Sequence, residues 1–244
     1  MSEGDIQGEV PGKDTHFRWR EADAWRPLLA TALTGRSSDA RVLEALQSEY
    51  PGLIAHHGCR PRSVDSYYRD GIRLPDLERL DGEARSIFLT GNFPELTLAT
   101  LDRAIGELRG VEPNSIYLAV DDRHLLERAG HYLIYGSERV TGIAAELSKN
   151  GYDYRQFLKN FGRPTILEVA IPWDAVPEST AKNFARAVRE QLRLVRQGEA
   201  PEIRDFTVTL RRMIPPEWIV SHHYPLVIID WLDDMKEYRA PVSD

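Results

Sequence analysis

The chain of 244 residues carries one cysteine, Cys59. A lone cysteine excludes an internal disulfide and suits a reducing compartment. No apolar run is long enough to cross a bilayer, and residues 1–14 are polar, acidic and glycine-bearing, unlike a secretory leader. The expectation is a cytoplasmic protein with no membrane association. Neither C-x-x-C nor H-x-x-x-H occurs, and the paired histidines, His56-His57 and His222-His223, are adjacent, which is poor ligand spacing on a strand. No metal is expected. A glycine-rich phosphate loop and a Rossmann fingerprint are also missing, so a doubly wound dinucleotide fold is excluded. Positive charge is not in excess: the net charge of −7 argues against indiscriminate nucleic-acid binding and leaves room for a local basic face. What is present, 42% hydrophobic and 28% charged residues, is ordinary for a globular domain with a sizeable core.

Three regions follow from composition and periodicity. Residues 1–16 read as a disordered tail, with Gly4, Gly8, Pro11 and Gly12 among charges. Residues 17–50 read as an N-terminal helical accessory segment: Trp25, Leu28, Leu29 and Leu33 recur at helical spacing up to Gly35, and Ser38 caps a second helix bearing Val42, Leu43 and Leu46. Residues 51–244 read as the main domain. Its strands are expected at Leu53–Cys59, Ser115–Val120, Thr165–Ile171, Phe206–Met213, Glu217–Ser221 and Leu226–Ile229. Helices are expected at 63–70, 77–88, 99–108 (ending at Gly110), 121–129, 138–147, 154–160 and 178–197, and His131–Tyr135 reads as a strand or an extended loop. Interspersed elements with most strands late in the chain favour an α+β fold with mixed or antiparallel sheets flanked by helices.

The stretch Leu53-Ile54-Ala55-His56-His57-Gly58-Cys59-Arg60 is a buried-strand pattern that ends in polar and small residues. Neighbouring side chains on a strand point to opposite faces, so only one of His56 and His57 can meet a ligand. Glycine at the strand end lets a ligand approach the backbone. His57-Gly58-Cys59-Arg60 resembles the His-Gly-(Ser/Thr)-Arg turn of the ADP-ribosyltransferases, in the His–Tyr–Glu branch that includes the poly(ADP-ribose) polymerases and diphtheria toxin. Ile116-Tyr117-Leu118-Ala119, Ile166-Leu167-Glu168-Val169-Ala170 and Glu217-Trp218-Ile219-Val220 are similar to three further strands of that branch, in the same order. The matches are short and scattered over about Ile54 to Val220.

The resemblance implies an ADP-ribosyltransferase fold with split sheets. It also implies NAD⁺ as substrate, and mono-ADP-ribosylation of a macromolecular acceptor, protein or nucleic acid, by a toxin or defence effector. It selects His57 to hold the adenosine ribose, the Gly58 backbone to clamp the nicotinamide carboxamide, and Tyr117 to stack on the ring. Glu217 becomes the carboxylate that stabilises the oxocarbenium-like sugar. His57, Gly58, Cys59 and Arg60 form the first wall of that cleft. Tyr132 and Tyr135 are candidates to close over the ring, and Ser137 stands beside them. The Lys/Ser-x-x-Tyr helix of the family has no clear counterpart after Tyr117. Other readings from the same residues are an NAD glycohydrolase, an RNA 2′-phosphotransferase, and a catalytically degenerate module that binds NAD or ADP-ribose.

Each residue also has a plain structural reading. His57 is a strand-end histidine satisfied by backbone groups, Tyr117 is core, Glu217 is a solvated strand-start carboxylate, and Ser137 is a helix cap. Glu168, in mid-strand among apolar residues, reads as structural and needs a partner such as an arginine. Lys182, Arg186, Arg189, Arg193 and Arg196 recur every three or four residues on one helix face. They are either a solvated face or a basic stripe that binds a nucleic-acid acceptor, with Arg211 and Arg212 following.

Overall fold

The computed structural model describes residues 16–32, 38–108, 114–149 and 151–241. Residues 1–15 of the expected tail, Leu33, Gly35 and Gly110 lie outside the described residues. The order of elements is α1 (Ala22–Ala32), α2 (Asp39–Glu49), β1 (Gly52–Cys59), α3 (Asp65–Asp70), α4 (Leu77–Phe88), α5 (Leu98–Glu107) and β2 (Ile116–Ala119). Then come α6 (Asp122–Glu127), α7 (His131–Ile134), α8 (Glu138–Ser148), α9 (Tyr154–Leu158), β3 (Thr165–Pro172), α10 (Glu178–Arg196) and β4 (Thr207–Leu210). A 3-10 turn (Pro216–Trp218) leads into β5 (Ile219–His223), and β6 (Val227–Asp230) and β7 (Lys236–Arg239) close the series.

The fold is α+β. Five strands form one antiparallel sheet in the order β4-β2-β1-β3-β5, and β6 and β7 form a separate hairpin. Residues opposite one another share a face. The register therefore puts Leu53, Ala55, Leu118, Leu167, Val169 and Val208 on one face, where α1, α2 and α10 cover them. Ala119 and Ile166 belong to the other face, under α4, α5, α7 and α8. The helix α10 follows its pattern: Ala181, Phe184 and Val188 are buried and the arginines face outward.

Four elements differ from expectation. His131–Ile134 is helical because Leu133 and Ile134 are both buried in one cluster, which strand alternation forbids. The expected strand at Glu217 begins two residues later: the two prolines set up a 3-10 turn in which the Trp218 N–H donates to Pro215 O. Phe17 is extended, paired with Leu53, and not part of a helix. The strand β7 carries no apolar alternation, since its residues are polar and mostly exposed.

The segment 17–50 is built into the principal core. Phe17, Trp19, Trp25, Leu28, Val42 and Leu46 are buried with Leu53 and Phe184. Phe17 stands edge-on to Trp25 and to Phe184, with centroids 5.3 and 5.8 Å away. Glu168 has the arginine it required: Arg18 ion-pairs with its Oε1, and Ser221 Oγ donates to Oε2 at 2.6 Å. Burial alone raises the Glu168 pKa, but these two donors outweigh it and hold the carboxyl below its usual range. Arg20 ion-pairs with Asp122 at 2.8 Å.

Two outcomes follow for stability. Trp25→Ala removes a fully buried indole and lowers stability by about 3–5 kcal/mol in urea unfolding. A fragment beginning at Pro51 fails to show a cooperative melt, because it uncovers the core face of β1.

Candidate active site

The central strand β1 pairs with β3 along its whole length, from Gly52 opposite Pro172 to Cys59 opposite Thr165. Its other edge is divided. Near the start of the strand, Phe17 takes it: Phe17 N–H donates to Gly52 O, and Ile54 N–H donates to Phe17 O. In the middle β2 takes it, through the single register pair His56–Ala119. Beyond that pair the strands part. Backbone groups alternate along a strand, so the even residues Gly52, Ile54 and His56 turn their N–H and C=O to this edge, and Gly58 does the same past the end of the ladder. In place of a further rung, His57 Nδ1 lies 3.2 Å from Tyr117 O. A carbonyl only accepts, so Nδ1 carries the proton and Nε2 keeps its lone pair.

A cavity of about 820 Å³ occupies the opening. Both cores contribute to its walls, Tyr67 and Ile72 from one face and Leu125, Val140 and Leu158 from the other. It is lined by His57, Gly58, Cys59, Arg60, Tyr117, Tyr132, Tyr135 and Ser137, drawn from three separated stretches of chain. His56 is not among the lining residues; its Nδ1 lies 3.2 Å from Ala119 O, on the opposite face of the sheet from His57. Tyr117 is 49% exposed in a strand whose other residues are buried, so its ring is available to a ligand. Tyr132 is half-buried. Its hydroxyl is pushed up to about 12, chiefly by burial and also by the Glu138 carboxylate and Tyr117 nearby, so it stays neutral.

Several of the expected contacts are committed elsewhere. The Arg60 guanidinium donates to the carbonyls of Phe161 (2.7 Å), Leu133 (3.0 Å) and Lys159, and to the Tyr238 hydroxyl. It pins β1 to the α7 and α9 region and has little capacity left for a ligand. The Tyr135 hydroxyl donates to buried Asp230 at 2.5 Å. Ser137 Oγ accepts from Val140 N–H as the cap of α8. Cys59 is buried, its thiol pushed up to about 12 by burial, which makes it unreactive.

Glu217 is not brought to the cavity. It lies on an exposed 3-10 turn before β5, and β5 pairs with β3 at the sheet edge. Two strand spacings, about 10 Å, separate that edge from β1. The carboxylates that do line the cavity are Glu83 and Glu138. Glu138 opens α8 directly after Ser137, and its position in the first turn of a capped helix was the available signal. His124, His131, Arg73 and Arg79 also line the cavity and went unnoticed in the sequence.

The basic face of α10 is partly neutralised. Lys182 pairs with Glu178 at 2.5 Å, and Arg186 and Arg189 pair with Asp39 at 3.2 and 2.8 Å. These exposed pairs are worth little to stability, and the two carboxylates offset only part of the charge offered to a polyanion. The stripe also lies on the covered side of the sheet with α2, away from the opening between β1 and β2.

No family model matches the chain, and neither does any curated protein or solved structure. Among the described residues no helix is long and apolar enough to cross a membrane.

Burial lowers the pKa of His57 from its ordinary 6.5, with the bond to Tyr117 O opposing, and burial also lowers His56. Below pH 6.5 the unfolded chain therefore binds protons that the native state refuses. The stability these histidines confer is complete above that pH and declines as the pH falls. The melting temperature is expected to be level from about pH 8 to 6.5 and to drop toward about pH 5, and His57→Gln removes part of that drop. A level melting temperature throughout contradicts this protonation state.

Proposed function

We propose that the chain binds NAD⁺ in the cavity between β1 and β2 and cleaves the nicotinamide–ribose bond, transferring ADP-ribose to a protein, a nucleic acid or water. The observation that carries this reading is convergence. The residues singled out by the resemblance to ADP-ribosyltransferases on their motifs alone, His57, Gly58 and Tyr117, line one cavity, His57 from one face of the sheet and Tyr117 from the other with the two tyrosines considered for closure, across the gap where β1 and β2 part. Its volume lies within the range of cavities that enclose cofactors.

In this reading the Gly58 N–H and C=O take the carboxamide, and Tyr117 stacks on the nicotinamide ring with Tyr132 as its partner. Such an aromatic contact is worth about 1 kcal/mol. Neutral His57 accepts from a ribose hydroxyl through Nε2. Bond cleavage leaves the electron pair on nicotinamide and positive charge on the ribose C1′ and ring oxygen. A carboxylate beside that sugar stabilises the charge. We assign this role to Glu138 in place of Glu217, because Glu138 lines the cavity next to Tyr132. The absence of Glu217 from the lining favours one other reading, a module that binds NAD or ADP-ribose without turnover.

The test is to incubate the protein with NAD⁺ and measure both binding and nicotinamide release. Release is expected, reduced about 10²–10³-fold by Glu138→Gln, with Glu217→Gln within a few-fold of the parent. Tyr117→Ala is expected to weaken binding about fivefold or more. Binding without release selects the binding module, and no binding removes the whole reading.

A further inference from the structure

A second pocket, of about 450 Å³, adjoins the large cavity and shares Pro61, Arg62 and Ser63 with it. Its other wall is the loop into β3, with Arg163 and Thr165, and Tyr224 just after β5. Two arginines line it and no carboxylate does. Asp65, which accepts from Ser63 Oγ at 2.8 Å, lies outside the lining.

The two arginines are unlike most others in the chain. Arg163 is stacked on the Tyr224 ring at 3.7 Å, and its Nε is buried with no hydrogen-bond partner among the described residues. Arg62 lies 5.8 Å from the Phe161 ring centroid and has no ion-pair partner among the described residues. A buried donor without an acceptor is costly unless something else fills the position. The backbone that carries them is also held in place. Arg163 N–H donates to Pro61 O at 2.9 Å, and Gly162, at φ +68°, leaves no room for a side chain, since a Cβ there would lie 2.4 Å from Arg60 O. One guanidinium seated on an aromatic face, that of Arg163, and a second, exposed one, that of Arg62, joined by a rigid backbone contact, form an oxyanion receptor.

We propose that this pocket binds a phosphate monoester. Two uncompensated positive charges match the charge of about −1.5 to −2 that such a group carries at neutral pH better than they match a single carboxylate. The volume leaves space for the sugar or side chain that bears the phosphate. That group is borne by a phosphorylated molecule separate from NAD⁺, whose two phosphates form a diphosphate esterified at both ends and present no monoester. The inference does not depend on NAD⁺ occupying the large cavity.

The test is calorimetric titration of the whole chain with ribose 5-phosphate at low salt. Saturable binding is expected, weakened about tenfold or more by Arg163→Gln and by Arg62→Gln, and unchanged by the exposed control Arg239→Gln. Arg163→Lys keeps the charge and the fold but loses the fork; it is expected to melt like the parent and still bind about tenfold less well. No saturable binding by the parent chain, or equal affinity in Arg163→Gln, Arg163→Lys and the parent, overturns the proposal. The titration is repeated with NAD⁺ present. Independent binding is expected, and strict competition overturns the monoester assignment in favour of a subsite for the dinucleotide's diphosphate. If NAD⁺ does not bind at all, the titration with ribose 5-phosphate alone still decides the proposal.

Discussion

The structure depends on how the second edge of β1 is shared. A central strand ordinarily pairs on both sides for its whole length, and here one side is paired throughout while the other is split among Phe17, Ala119 and an opening. Leu125 and Leu133 press against Gly58 from the helical layer, within 3.5 Å of where a Cβ would stand. A Cβ at position 58 would meet these two leucines at ordinary contact distance, so only a side chain longer than that of alanine would push the helices off the sheet or close the gap. The glycine therefore keeps β1 in contact with the helices while leaving its own backbone groups directed at the opening. Where the ladder stops, the His57 side chain bonds Tyr117 O and holds the two strands at a fixed separation without sealing them.

The other end of the same edge must be firmly closed for this to be stable. Phe17 and Trp19 insert into the core face, while Arg18, between them, turns to the opposite face and meets Glu168. Removing Arg18 would leave a largely buried carboxylate without its cation, which is far costlier than losing an exposed pair. Ser221 holds the second carboxylate oxygen, so one glutamate ties together the N-terminal segment, β3 and the edge strand β5. The N-terminal segment is thus the piece that closes one half of the sheet edge so that the other half can remain open.

Much of this was legible in local pattern, and the failures have physical causes. The long helix α10, the strands β1, β2 and β3, and the need of Glu168 for a cation all follow from periodicity and desolvation. The strict alternation of strand faces correctly separated His56 from His57 without any coordinates. What a motif cannot carry is strand order. Glu217-Trp218-Ile219-Val220 has the composition of a strand, but which neighbour a strand joins depends on the whole sheet, and β5 joins β3 at the far edge. Arg60 was misjudged for a related reason: its obligations to Phe161, Leu133 and Lys159 come from residues about 70 to 100 positions away, which no local window contains.

Electrostatics divide the large cavity in a way that bears on what it can hold. On the α7 and α8 side, Tyr132 stays neutral beside Tyr117, and Glu138 places a carboxylate in the first turn of α8. A neutral aromatic pair next to an anion suits a cationic ring or a sugar that gains positive charge. On the side contributed by the turn after β1 and by α4, the lining carries Arg62, Arg73 and Arg79 against Glu83 alone, which suits phosphate. A ligand with a positive ring at one end and phosphates toward the other satisfies both halves at once. A wholly anionic ligand would meet Glu138 unfavourably, and a wholly cationic one would meet the arginines. This polarity belongs to the lining as a whole and is not contained in any single motif.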